Sequence, residues 1–228
     1  RRLTLHARDM LGCAYGQVFS SLSMRRACFN DGPGTGRAFR MTAAPPFSVP
    51  KTIVLVGLMG VGKSSIGRRL AQMLALPFAD ADAEIEAAAG VTVEEIFARD
   101  GEAAFRNGER RVLARLLDNP IQVLATGGGA FMDPETRALI RTRAISIWLR
   151  ADLDLLVARV ARRNNRPLLK NGDPRSILAQ LIEERYPIYA EADLVVDSLD
   201  GPPEATLGKI ITALGKFLGA GAGVGAAS

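Results

Sequence analysis

From Lys51 onward the chain alternates short, largely apolar runs with longer stretches in which apolar residues recur at helical spacing. The runs are 53–56, 121–125, 144–149 and 194–196, with a shorter one at Phe78-Ala79. A run that is apolar without strict alternation suits a strand buried on both faces, as in a parallel sheet covered by helices. The intervening stretches carry helix starts. Ser65 to Ala75 reads as the first helix, Thr92 with Glu95 forms a capping box, and Asp133-Pro134 and Asp173-Pro174 each place a cap before an N1 proline. Asp152 precedes a helical run to about Arg163, and a last helix is expected over roughly 203–218. The pattern is that of an α/β domain on a parallel sheet. Gly219-Ala-Gly-Ala-Gly has too little side chain to pack, so 219–228 is expected to be a flexible Gly/Ala tail.

The first connection carries chemistry. Residues 57–64 read Gly-Leu-Met-Gly-Val-Gly-Lys-Ser, a complete G-x-x-x-x-G-K-[ST] loop between a predicted buried strand and a predicted helix. Such a turn aims backbone N–H groups and a helix dipole at a polyphosphate. Gly57, Gly60 and Gly62 allow the tight curl, Lys63 spans the β- and γ-phosphates, and the Ser64 hydroxyl is a Mg²⁺ ligand. A nucleoside triphosphate is the expected ligand; a glycine-rich turn that binds nothing is the alternative.

Charge and composition narrow the rest. Residues 1–50 hold seven Arg and two acids, so the whole net charge of +5 sits there, and 51–228 are neutral overall. The body therefore offers no global electrostatic case for nucleic acid or membrane. Cys13, Cys28 and His6 also fall in the first fifty residues, which leaves the body without a Cys/His nucleophile, a disulfide or a typical zinc site, as suits a cytosolic enzyme. The first fifty residues are Arg-rich and acid-poor like a transit peptide but lack a long amphipathic stretch. They are expected to be a disordered leader or sequence upstream of the true start, with Met24 and Met41 as candidate starts.

Three constellations and a basic segment follow the loop. Asp80-Ala-Asp82 stands where the second strand should end; on an extended segment both acids point to one side, toward the phosphate site. One is placed to hold Mg²⁺ through water and the other to accept a proton from a substrate hydroxyl; alternatively Asp80, Asp82 and Glu84 merely favour a helix dipole. Arg106 has the planar fork that suits a substrate carboxylate, or forms only a surface ion pair with Glu109. Thr126-Gly-Gly-Gly129 would let a ligand rest on bare backbone at a strand end. The segment from Arg162 to Gly172 reads as a lid over polyphosphate or as a solvated loop, with Arg159 and Arg166 as candidate nucleotide contacts. Arg185 is a second candidate for a carboxylate.

Taken in order, Gly57–Gly67, Phe78-Ala-Asp-Ala-Asp82, Phe105-Arg106, Thr126–Gly129, Arg166-Pro-Leu-Leu169 and Arg185-Tyr-Pro-Ile-Tyr189 resemble the shikimate kinases over about residues 51–198. The resemblance implies a three-layer α/β sandwich with a five-stranded parallel sheet, a P-loop kinase fold like that of nucleoside monophosphate kinases. It places a substrate-binding insert near 81–110 and a lid near 160–173 within a domain of 51–218. The implied activity is phosphorylation of the 3-hydroxyl of shikimate by ATP, in the pathway to chorismate and the aromatic amino acids. The implied roles give the triphosphate to Gly60, Val61, Gly62, Lys63, Ser64 and Ser65. Ser64 ligates one Mg²⁺ directly and Asp80 does so through water. Asp82 binds and polarises the hydroxyl, with Asp82 and Lys63 as the catalytic pair. Arg106 and Arg185 clamp the carboxylate, Gly127, Gly128 and Gly129 touch the ring, and Arg159 and Arg166 take the adenine and lid positions. A cytoplasmic monomer that binds ATP and shikimate, but neither nucleic acid nor membrane, is expected. Ser65 stands where Thr is common in the family, and Ala125-Thr126 supplies no carboxylate before the glycines. The rivals are a kinase of another polyol, such as a gluconate-kinase relative, and a binding protein that has kept the site without catalysis.

Overall fold

The computed structural model describes residues 47–162 and 173–221. Five strands form one parallel sheet: β1 (Thr52–Val56), β2 (Phe78–Asp80), β3 (Val123–Ala125), β4 (Ala144–Arg150) and β5 (Leu194–Asp197). Their spatial order is β2-β3-β1-β4-β5. β1 lies centrally, with Val54 opposite Leu124 on one side and Ser146 on the other. Each strand falls on a predicted run, because a central parallel strand must be apolar on both faces and β1 is buried at all five positions.

Among the described residues seven α-helices connect and cover the strands: α1 (Lys63–Leu74), α2 (Ala81–Ala89), α3 (Val93–Asp118), α4 (Pro134–Arg143), α5 (Leu153–Ala161), α6 (Pro174–Tyr189) and α7 (Pro203–Gly221). The chain runs outward from β1 to β2 through α1, then back across the sheet through the later helices. With right-handed crossovers, this reversal puts α1 on one face and α3, α4 and α6 on the other. The contacts agree: α1 packs on α7, while α3 packs on α4. The reversal also sets the C-terminal ends of β1 and β3 side by side, where open α/β sheets bind ligands.

Local signals set the helix starts. Thr92 and Glu95 complete the capping box in both directions, and Asp133, Asp152 and Asp173 each accept a backbone N–H from the first turn of α4, α5 and α6. α3 is broken at Gly101, whose φ of 79° departs from helix. On both sides of the break, through Ile96 and Phe105, it packs with Ile85 of α2 in a small separate apolar cluster, within the region expected as the insert at 81–110.

The body begins slightly earlier than the expected boundary at 51. Phe47 and Val49 pack against the main core, and the Phe47 ring lies on Gly215 of α7. α7 also runs past its expected end at 218. Residues 1–46, the lid segment 163–172 with Arg166, and tail residues 222–228 lie outside the described residues. No helix of the described residues is long and apolar enough to cross a membrane.

Candidate active site

The connection from β1 to α1 wraps the helix N-terminus. Gly62 is the N-cap of α1 at φ 101°, a conformation a side chain would resist, and it leaves the first N–H groups of the helix facing outward. Gly57 has a second reason to be glycine: a Cβ there would sit 2.5 Å from the Leu149 carbonyl oxygen of β4. Lys63 folds back, its Nζ donating to the Gly57 and Leu58 carbonyls at 2.7 and 3.0 Å. The ammonium thus stands over the loop.

A cavity of about 390 Å³ opens above these N–H groups. Residues 60–65 of the loop, Asp80, Asp82, Thr126, Gly128 and Arg159 line it, so candidates from β1, β2, β3 and α5 converge on one space. The two acids get there by a different route from the extended segment expected. Asp80 ends β2 and caps α2, its Oδ1 accepting the Asp82 N–H at 3.2 Å, while Asp82 already lies in the helix. Asp80, Asp82 and Glu84 thus do gather at a helix N-terminus, as the dipole reading expected, and Asp80 and Asp82 face the cavity as well. Thr126 donates from Oγ1 to the Leu55 carbonyl at 3.0 Å, tying the end of β3 to β1. Among the described residues no group of three or more His, Cys, Asp or Glu gathers as a metal cage.

The glycines after β3 are packed from two sides. A Cβ on Gly127 would meet Asp82 Oδ1 at 2.7 Å and Glu109 Oε1 at 2.9 Å, and one on Gly129 would overlap the Arg106 guanidinium. Arg185 reaches the same segment from α6, donating from NH1 to the Gly128 carbonyl at 3.1 Å. Arg106 and Arg185, on α3 and α6, therefore flank adjacent glycines, and both act electrostatically on the Tyr189 hydroxyl. Neither belongs to the cavity lining; Arg185 meets its edge at Gly128, and Arg106 packs on the next residue, Gly129.

Glu109 corrects the surface-pair reading of Phe105-Arg106. It is only 2 % exposed, with Oε2 accepting from Arg106 NH1 at 2.6 Å. Its other oxygen is buried without a hydrogen-bond partner among the described residues. Burial raises the Glu109 carboxyl above its usual range; Arg106 pulls it down and the Asp82 charge adds to the rise.

At the opposite end of the cavity Arg159 is fixed rather than free. Its NH1 donates to the Val61 carbonyl at 3.0 Å and to Ser198 Oγ at 2.9 Å, and NH2 reaches the Leu199 carbonyl. Ser198 Oγ itself donates to Val61 O at 3.1 Å. Leu199, Gly201, Pro203 and Thr206 complete this end, and sequence reasoning missed all of them. The residues between β5 and α7 match no motif; only their place after a sheet strand could have drawn attention to them.

A loop of N–H groups at a helix N-terminus, a lysine above it, and acids and arginines across the cavity define a P-loop kinase of small molecules. The family model for shikimate kinase matches residues 59–215. The shikimate kinase of Paramagnetospirillum magneticum is 60 % identical over 170 residues, 75 % of this chain and 87 % of that one. That of Caulobacter vibrioides is 62 % identical over 164 residues, 72 % of this chain and 82 % of its own. The solved shikimate kinase of Acinetobacter baumannii in complex with shikimate superimposes with a TM-score of 0.70 at 37 % identity, covering 73 % of this chain and 93 % of that one. The chain belongs to the shikimate kinase family.

Proposed function

We propose that this protein transfers the γ-phosphoryl group of ATP to the 3-hydroxyl of shikimate, giving shikimate 3-phosphate and ADP. One observation carries the reading beyond family membership: Arg106 and Arg185 reach adjacent glycines from different helices, beside Asp82 and the phosphate loop. A ring bearing a carboxylate at one end and a hydroxyl at the other fits that polarity.

Lys63 exchanges its two loop carbonyls for phosphate oxygens, and the N–H groups of residues 60–65 hold the triphosphate. Arg159, with Arg166 on the segment beyond, serves the adenine end. Ser64 and Asp80 line the same cavity and would hold a Mg²⁺ ion, Ser64 directly and Asp80 through water; the ion would supply charge neutralisation at the phosphates. Asp82 orients the acceptor hydroxyl and takes its proton. The two arginines spend binding energy on the carboxylate, remote from the reacting oxygen, to align that hydroxyl with phosphorus. The bare backbone of Gly127–Gly129 lets the ring approach.

Calorimetric titration of shikimate, and of an analogue lacking its carboxylate, tests the clamp. Arg106→Ala and Arg185→Ala should each weaken shikimate binding by about 1.5–3 kcal/mol, and Lys at either position should rescue only partly, since a point charge cannot reproduce the fork. The double variant should show coupling rather than additivity. The analogue should bind poorly to every form. Equal binding of shikimate and analogue by the unaltered protein would remove the basis for this substrate.

A further inference from the structure

Tyr189 closes α6 and is fully buried, the bulkiest of the wholly enclosed side chains among the described residues. Its ring lies with Trp148, Tyr186 and Phe131, at centroid distances of 6.0, 6.4 and 6.4 Å. A phenylalanine would satisfy that packing, so the hydroxyl calls for its own account. It donates to the Gly128 carbonyl oxygen, the same oxygen that accepts from Arg185 NH1. Arg185, one turn earlier on α6, also acts electrostatically on the Tyr189 hydroxyl. One carbonyl of the glycine segment thus takes two donors from one helix.

Three successive glycines can turn their peptide planes at little steric cost. Pinning the Gly128 oxygen fixes that peptide plane, and planarity then fixes the direction of the Gly129 N–H. Gly129 is the residue against which the Arg106 guanidinium packs. We propose that Tyr189 is a positioning residue for the acceptor substrate: its hydroxyl locks the Gly128–Gly129 peptide and, with it, the Arg185 fork. The inference rests on the shikimate reading above. Burial raises the phenol to about 12, so the group remains a donor at every working pH.

Tyr186 supplies a matched control. It sits on the same helix and in the same aromatic cluster, but its hydroxyl donates to the Ala151 carbonyl, away from the glycines. Steady-state kinetics and shikimate titration on Tyr189→Phe and Tyr186→Phe separate positioning from packing. Tyr189→Phe should raise KM and Kd for shikimate roughly 5- to 30-fold and leave KM for ATP within about twofold. Tyr186→Phe should lower the melting temperature without moving either constant. A second readout uses the unaltered protein labelled at tyrosine ¹³Cζ: adding shikimate should shift the Tyr189 resonance and not that of Tyr186. A Tyr189→Phe protein with normal shikimate constants, equal losses toward ATP and shikimate, or an unmoved Tyr189 resonance overturns the role. An unaltered protein inert toward shikimate contradicts the function itself, and this inference with it.

Discussion

Asp82 and Glu109 face the same glycine, yet they carry different work. Asp82 lines the cavity, whereas Glu109 is sealed against Arg106. Asp82→Asn preserves shape and removes the proton acceptor, so kcat should fall by about 10²–10⁴ while ATP affinity changes little; rapid-quench turnover and nucleotide titration check this. Near-normal turnover would reduce Asp82 to a positioning group. Tyr189 gives a prediction of a different kind. An unfolded tyrosine ionises near 10, whereas this one ionises at about 12 when folded, so the native state favours the protonated phenol. Its contribution to stability is complete below about 10 and is lost as pH rises through the folded value. Burial is the main cause, opposed by the Arg185 charge and hydrogen bond and by Arg106, and reinforced by Tyr186. Denaturant midpoints measured from pH 9 to 12 should therefore decline more steeply for the unaltered protein than for Tyr189→Phe. Single residues were legible in position where a motif fixes the place, as at Lys63 and Ser64, which open α1 and line the cavity. Glu109 was not, because whether an i, i+3 partner is solvated or buried depends on what packs above the helix. Here that is the glycine segment, contributed by a distant strand.

At the level of elements, what is encoded locally was legible. Thr92 with Glu95, and each aspartate before an N1 proline, announce their helices within four residues, and the strands declare themselves by short, largely apolar runs. Thr92→Ala should cost about 1 kcal/mol in equilibrium unfolding, since it strips one half of a box closed in both directions. The junctions were harder to read. Asp80 and Asp82 converge through a strand-to-helix turn at Ala81, so strand alternation predicted the right meeting for the wrong reason. The Ser198–Arg159–Val61 junction joins three segments far apart in sequence, and no local pattern marks it. The glycine segment lies between these cases: its position after a strand signalled a ligand, but only the fold shows why each residue is small. Gly127→Ala would drive a methyl group into Asp82 and Glu109. It should raise KM for shikimate at least tenfold, on the scale of losing one well-placed polar contact of about 1.4 kcal/mol, with KM for ATP nearly constant.

For the whole molecule, the alternation of strands and helices indicated the architecture, while the strand order β2-β3-β1-β4-β5 needed the structure. That order brings the phosphate loop and the glycine segment together at the reversal between β1 and β3. The edge of the folded body is also a whole-molecule property. A chain beginning at Met41 keeps Phe47 and Val49 on the core and should match the full chain in activity and melting temperature. One beginning at Lys51 should lose about 1–3 kcal/mol through the apolar contact removed. The most direct test of the central claim is ³¹P NMR of the protein with ATP and Mg²⁺, run in parallel with shikimate, quinate and gluconate. The account predicts ADP and one new phosphate monoester with shikimate, coupled to the proton of its 3-position, and far slower turnover with the other two. A monoester formed with gluconate while shikimate remains untouched would contradict it.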